Sequence, residues 1–331
     1  MKNVAPKAGS TLLFLTEQDI RKTKVTMKDV IDIVEDIFAQ YGTDTIEMAP
    51  RAGIYPRPES FTQALLARVN AAAGAKIVSV FPSNKGSGLP VTTALIVLTD
   101  STTGVPLAVM DATWITAMRT GAVTAVAAKY LARRDAREVA IIGAGIQGRG
   151  NLLALATMLP QLLEARVYDV RPEASSLFIE DMKNTISLKM RSVGTCRDAI
   201  EGADIVVTGT AVFKERNALV RRDWVKLGAL IAPLEVDRAL EASLVYKPDL
   251  LVVDDTAQTL AFQKMGCFAE GPPTIHAELG EIVSGKNSGR RKESDIIVAM
   301  NVGLAVEDIA VGHHVYRRAT ERDIGQRLAY S

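Results

Sequence analysis

The sequence predicts an α/β chain, with a doubly wound parallel-sheet domain over residues 123–299 beside a smaller, antiparallel substructure. Two observations carry this. The continuous apolar run at 139–142 is echoed by runs at 165–168, 205–207, 229–232 and 250–253 at helical intervals, the pattern of parallel strands covered on both faces. Between 61 and 110 the runs 76–81, 94–98 and 106–110 follow one another without helices, separated by turns such as Ser87-Gly88-Leu89-Pro90 and Thr103-Gly104, which implies an antiparallel sheet.

The remaining elements follow in order. Residues 26–41 read as an amphipathic helix, with Val30, Ile31, Val34, Ile37, Phe38 and Tyr41 at three-and-four spacing behind a Thr26-x-x-Asp29 capping signal. Residues 113–133 are Ala-rich and helical up to Arg133-Arg134-Asp135. A last apolar-periodic helix, 302–316, leaves the α/β domain and can pack back on the N-terminal part.

Composition narrows the function. The 331 residues are 48% hydrophobic and 23% charged, with 39 Lys+Arg against 38 Asp+Glu, which argues against disorder and leaves no basic footprint for nucleic acid or an anionic membrane. The apolar run Leu12-Leu13-Phe14-Leu15 is too short for a secretory segment, and no run reaches the roughly 18 residues that cross a bilayer. Cys196 and Cys267 form no spaced cluster, so free thiols in the cytoplasm are expected; with only His276, His313 and His314, no metal site is expected.

The first chemical motif is Gly143-Ala-Gly145-Ile-Gln147-Gly148, directly after the 139–142 strand and opening a helix. Gly143 permits the tight turn, Gly145 lets backbone approach a pyrophosphate, and Gly148 lets helix and strand pack; the helix N-terminus offers N–H groups to the phosphates. Asp169 ends the next strand, 26 positions after Gly143, where a carboxylate accepts hydrogen bonds from ribose hydroxyls and disfavours a 2′-phosphate. That favours NAD, while the neighbouring Arg171 leaves NADP open. Thr208 and Thr210 lie at the carboxyl end of the 205–207 strand, where open sheets bind ligands, and are read either as contacts of the nicotinamide half or as turn residues.

Several blocks together resemble the ornithine cyclodeaminase/mu-crystallin family: Lys76-Ile-Val-Ser-Val-Phe-Pro-Ser-Asn84, Gly88-Leu-Pro90, Thr103-Gly104-x-Pro106-Leu-Ala-x-Met-Asp111, Arg119-Thr-Gly-Ala-x-Thr-Ala, Gly143-x-Gly145-x-Gln147-Gly148 and Gly303-Leu-Ala-x-Glu-Asp308. The resemblance covers nearly the whole chain. It implies a Rossmann-type NAD(P)-binding domain, 123–299, inserted into a smaller α+β substrate-binding and dimerisation domain, 1–122 plus 300–331, and a homodimer. It also implies hydride transfer between nicotinamide and the α-carbon of a small amino or imino acid. Arg51, Lys76 and Arg119 match the basic groups around the substrate carboxylate, with Gln63 thirteen positions before Lys76 where cyclodeaminases carry Glu. A planar guanidinium suits a carboxylate independently of the resemblance, and Lys76, in a strongly apolar strand, needs a partner or a role. Asp237 matches the acidic residue that manages the proton at the substrate nitrogen; taken alone, it reads as a loop ion pair with Arg238.

This chain departs from the cyclodeaminase pattern. Those enzymes carry a Gly-Gly-Asp-x-Pro-Gly-Lys type segment where this one has Glu235-Val-Asp237-Arg-Ala-Leu-Glu241. The change weakens ornithine as substrate, and Glu235 is expected to recognise an extra cationic group. The leading expectation is an NAD(P)-dependent amino-acid dehydrogenase or imine reductase. The alternatives are a cyclodeaminase converting ornithine to proline and ammonia with bound NAD, and a noncatalytic NADP(H)- or small-ligand-binding protein of the mu-crystallin kind.

Overall fold

The computed structural model describes residues 11–40, 45–57, 59–210 and 216–330. The chain divides into two compact units, Met1–Arg119 with Leu304–Ser331, and Thr120–Gly303, the second slightly wider than the 123–299 expected.

The first unit begins with β1 (Thr11–Leu15), α1 (Glu17–Lys22) and α2 (Met27–Gln40). Thr16 caps α1 in a reciprocal box with Asp19. Thr26 and Asp29 exchange the same bonds at the start of α2, Thr26 N donating at 2.8 Å and Asp29 N at 3.2 Å. The apolar stripe of α2 is buried from Met27 to Phe38; Tyr41, expected as its last member, lies outside the described residues. There follow β2 (Ile46–Met48), β3 (Ala52–Arg57), β4 (Ser60–Val69), β5 (Ala72–Val80), β6 (Thr92–Asp100) and β7 (Pro106–Asp111), with β4 to β7 pairing in antiparallel order. β5 starts earlier than the apolar run at 76, and its small residues have a reason. A Cβ at Gly74 would sit 2.3 Å from the Val97 carbonyl. α3 (Thr113–Leu131) then runs through the boundary between the units.

The second unit alternates β8 (Glu138–Ile142), α4 (Ile146–Met158), β9 (Glu164–Tyr168), α5 (Pro172–Met182), β10 (Lys189–Ser192), α6 (Cys196–Ile200) and β11 (Ile205–Thr208). It continues through β12 (Leu230–Pro233), α7 (Ala242–Tyr246), β13 (Leu250–Val253), α8 (Thr256–Ala261), β14 (Ala277–Glu278), α9 (Leu279–Val283) and β15 (Ile297–Met300). All pairs are parallel, in the order β10-β9-β8-β11-β12-β15-β13-β14, so the winding direction reverses between β8 and β11. In doubly wound sheets that reversal is where ligands bind.

The last helix, α10 (Ala305–Glu321), starts three residues later than periodicity suggested. Gly303 takes φ of 85° and donates its N–H to Asp254 Oδ2 at 2.6 Å, which keeps that segment out of the helix. α10 packs on β4, β5, β6 and α2, and β16 (Gln326–Ala329) pairs with β1. The run 12–15, read only as too short for a leader, is thus an inner strand of the order β16-β1-β7-β6-β5-β4-β2. On the other face of this sheet Ile54, Leu66, Ile77 and Leu95 are exposed. Among the described residues no helix is long and apolar enough to cross a membrane.

Candidate active site

In the second unit, Gly143 has φ of 106°, and a Cβ on it would lie 2.4 Å from the Gly209 carbonyl. A Cβ on Gly148 would lie 2.3 Å from the Gly143 carbonyl, so the turn and α4 can approach only through these glycines. Gly145 differs. A Cβ there meets nothing within 4 Å, and Gly145 caps α4 with no side chain, so no side-chain cap satisfies the first-turn N–H groups. Gln147, in the same turn, has a buried Oε1 with no hydrogen-bond partner among the described residues.

Asp169 closes this cradle. Its Oδ2 accepts from Ala144 N at 3.0 Å and its Oδ1 from Arg171 N at 3.0 Å, with the Arg171 guanidinium 3.5 Å away. An open helix N-terminus, an unpartnered amide oxygen and a carboxylate at the end of the next strand fit a dinucleotide.

Beyond β11 and β12, Glu235 is 4% exposed and accepts from Thr208 Oγ1 at 2.6 Å, Thr210 Oγ1 at 2.7 Å and Thr210 N. The two threonines, read either as nicotinamide contacts or as turn residues, and the glutamate, expected to recognise an extra cation, are bonded to one another and brace adjacent strand ends. Val236 follows with φ of 60°, a conformation that costs a β-branched residue about 1–2 kcal/mol. It separates the directions of Glu235 and Asp237.

Asp237 is buried, and its Oδ2 accepts from Arg216 Nη2 at 2.8 Å and from Phe268 N at 2.9 Å. The loop ion pair anticipated with Arg238 is not formed, because Arg238 donates to the Met265 carbonyl at 3.1 Å. Asp237 Oδ1 is buried and has no hydrogen-bond partner among the described residues. Burial, with the Asp237 charge beside it, pushes the Cys267 thiol up to about 11. Glu241, standing where cyclodeaminases have Lys, accepts from Arg222 N at 3.1 Å and Ser243 Oγ at 2.5 Å as α7 begins.

In the first unit, Lys76 Nζ lies 2.5 Å from Asp308 Oδ2. Arg119 gives Nε to Asp308 Oδ1 at 3.0 Å and Nη1 to Glu307 Oε2 at 3.2 Å. Lys76, on β5, and Arg119, on α3, are 2% and 6% exposed; both acids, in the first turn of α10, are fully buried. Burial first, and then the Arg119 charge, lower Lys76 to about 8 against the opposing pull of Asp308. Arg51, just before β3, acts in the same lowering direction. Gln63 is buried on β4 opposite Val78, one diagonal step from Lys76 on the same face.

Lys76, Arg119 and Gln63 therefore share a site with the charge of Arg51, while Gly143, Asp169 and Arg171 form another group, and Thr208, Thr210 and Glu235 a third. Three participants went unread in the sequence. Glu307 and Asp308 carried a signal, two adjacent acids inside an apolar-periodic helix; Arg216 carried none. The histidines are used structurally or remain apart: His276 Nε2 lies 3.0 Å from the Ser288 carbonyl, and burial lowers His313 and His314.

The sequence pattern of the ornithine cyclodeaminase/mu-crystallin family matches residues 11–323. The chain belongs to this family. An alanine dehydrogenase of Archaeoglobus fulgidus is 31% identical over 329 residues, covering 96% of this chain and 98% of that one. The Thermococcus litoralis Δ1-pyrroline-2-carboxylate reductase, solved with NADH and L-proline, superposes with a TM-score of 0.86 at 34% identity, covering 95% of this chain and 99% of that one. An archaeal alanine dehydrogenase dimer with bound NAD gives 0.86 at 30% identity, covering 97% and 100%.

Proposed function

We propose that this member of the ornithine cyclodeaminase/mu-crystallin family is an NAD-dependent imine reductase or amino-acid dehydrogenase acting at the α-carbon of a small amino or imino acid. The observation that carries the reading is the buried Lys76–Asp308–Arg119 cluster in a chain that also holds an open dinucleotide cradle. Its similarity to a reductase solved with NADH and L-proline supports the choice of substrate class.

The second unit binds the cofactor, with the α4 N-terminus at the pyrophosphate and Asp169 at the ribose. NAD is favoured over NADP because the Asp169 carboxylate repels a 2′-phosphate and also engages Arg171. The nicotinamide, when bound, supplies or accepts the hydride. The first unit, Met1–Arg119 with Leu304–Ser331, holds the substrate, with Arg51, Lys76 and Arg119 at its carboxylate and Gln63 beside them. Lys76, lowered to about 8, can give or receive a proton near neutral pH. In the second unit, Arg216 and the Phe268 amide hold Asp237 Oδ2, which leaves Oδ1 to accept an N–H of a bound ligand. The chain works as a cytoplasmic homodimer; the dimeric alanine dehydrogenase and the exposed apolar face of the first sheet support the dimer, and two unpaired thiols support the compartment.

The test follows NADH and NADPH absorbance with cyclic imino acids, with 2-oxo acids plus ammonia or methylamine, and with L-ornithine alongside ammonia detection. Net oxidation of NADH by an imino acid is expected. Ammonia from ornithine without net cofactor change would replace the reading with cyclodeamination, and tight cofactor binding without turnover would replace it with a binding protein.

A further inference from the structure

We propose that Asp308 is a positioning residue that sets the geometry and the protonation of Lys76. The inference rests on the imine reductase reading for its functional meaning. Its physical core does not need that reading.

One carboxylate, in the first turn of α10, sets Oδ2 2.5 Å from Lys76 Nζ and accepts at Oδ1 from Arg119 Nε at 3.0 Å. The two cations arrive from β5 and α3, and α10 comes from the far end of the chain, 189 positions beyond Arg119. A lysine has four rotatable methylenes, and its ammonium beside another buried cation is repelled. Without a shared counter-ion the two side chains would separate or Lys76 would lose its proton. Among the described residues, the charged groups that act most on Lys76 are Arg119 from α3, Asp308 from α10 and Arg51 from the segment before β3; its partners across β4 and β6, Leu65 and Ile96, carry no charge. Glu307 has a narrower part. It bonds Arg119, so it neutralises the second cation, while Asp308 divides its oxygens between the two.

The direction of the effect follows from the charges. Burial, Arg119 and Arg51 all push the Lys76 proton off, and Asp308 alone among these groups holds it on. Removing the Asp308 charge should therefore lower the Lys76 titration by about 1–3 pH units, the usual effect of one close opposite charge. A residue that merely tied α10 to the sheet would change stability and leave that titration where it was.

The experiment compares wild type with Asp308→Asn, Asp308→Glu and Glu307→Gln, reading Lys76 directly by the pH dependence of its 13Cε resonance in lysine-labelled, substrate-free protein, assigned with Lys76→Arg. NADH binding and circular dichroism serve as the check of folding. Expected is a downward move of the Lys76 midpoint in Asp308→Asn, its return toward the wild-type value in Asp308→Glu, and a smaller move in Glu307→Gln. Where Asp308→Asn does not fold, the same titration in Asp308→Glu against Glu307→Gln decides: a larger displacement in Glu307→Gln than in Asp308→Glu overturns the assignment. An unmoved midpoint in folded Asp308→Asn overturns it too, whatever the enzyme does with imino acids. In the kinetic arm, the limb of kcat/KM governed by Lys76 should move with the resonance. A resonance that moves in protein that turns over no amino or imino acid supports Asp308 as the positioning residue and rejects the proposed reaction instead.

Discussion

Lys76 is 2% exposed, and its value of about 8 lies below the 10.5 of an unfolded lysine. Between those two values the unfolded chain keeps a proton that the native state has released. Stability from this group therefore rises with pH from about 8 to 10.5 and is lowest below 8, over a span of about 3 kcal/mol at 1.36 kcal/mol per unit. Urea unfolding of wild type and Lys76→Met at pH 7.5 and pH 10 isolates this term, because the other titrating groups are common to both. Wild type should gain on the variant as pH rises; a constant difference would show that Lys76 does not change its proton on unfolding. Asp169 gives a second residue-level expectation. Replacing it with Ser removes the charge that opposes a 2′-phosphate and frees the Arg171 guanidinium, 3.5 Å away, to meet one. The ratio of kcat/KM for NADPH over NADH should rise about tenfold or more, in line with the 1.5–3 kcal/mol typical of hydrogen bonds to charged groups. An unchanged ratio would remove Asp169 from cofactor choice. The same residues show what a sequence can disclose about a site. Lys76 stood out because an ammonium in an apolar strand is costly, but its partner Asp308 is remote in the chain, and no local spacing links them. Glu235 was legible as an extra acid and not as the brace for Thr208 and Thr210, since that depends on how two strand ends lie together.

At the scale of elements, the glycine turn divides into positions that serve packing and one that faces open space. A Cβ on Gly148 meets the Gly143 carbonyl at 2.3 Å, whereas on Gly145 it meets nothing within 4 Å. Gly148→Ala should lower the thermal midpoint, with a cost of about 1–3 kcal/mol, the range for overpacking. Gly145→Ala should melt close to wild type and bind NADH at least tenfold more weakly, because the added methyl occupies the space open to the pyrophosphate. Calorimetric melting and NADH fluorescence titration of the two variants check both; equal binding by Gly145→Ala and wild type would move the dinucleotide away from α4. The strands of the second unit were legible because burial on both faces leaves uninterrupted apolar runs, as in Val139-Ala-Ile-Ile142. β10, Lys189-Met-Arg-Ser192, was not, because an edge strand keeps polar side chains and is made by its pairing with β9. The late start of α10 depends on the Gly303 bond to Asp254, 49 positions earlier, which periodicity cannot register.

For the whole molecule, the sheet of the first unit poses a question of solvation. Its inner face is covered by α10, on which α2 packs in turn, while Leu66 and Ile77 on β4 and β5 and Leu95 on β6 remain 52%, 45% and 47% exposed on the other. Ile77 and Leu95 are direct cross-strand partners, and Ala64 and Ala75 lie in the same outward rows, so the apolar surface is continuous. Composition alone was silent here, because 48% hydrophobic residues say nothing of which face of a strand they occupy. Contiguous patches of this kind are uncommon on monomers, and in the proposed dimer a second copy of the chain would cover this one. In an interface with two-fold symmetry each substitution acts twice, so Leu66→Asp with Leu95→Lys introduces charges on both sides of the same contact. Wild type should sediment as a dimer and the double variant as a monomer, with circular dichroism unchanged because both side chains lie outside the core. A dimer that survives both charges at micromolar concentration would assign the association to another surface.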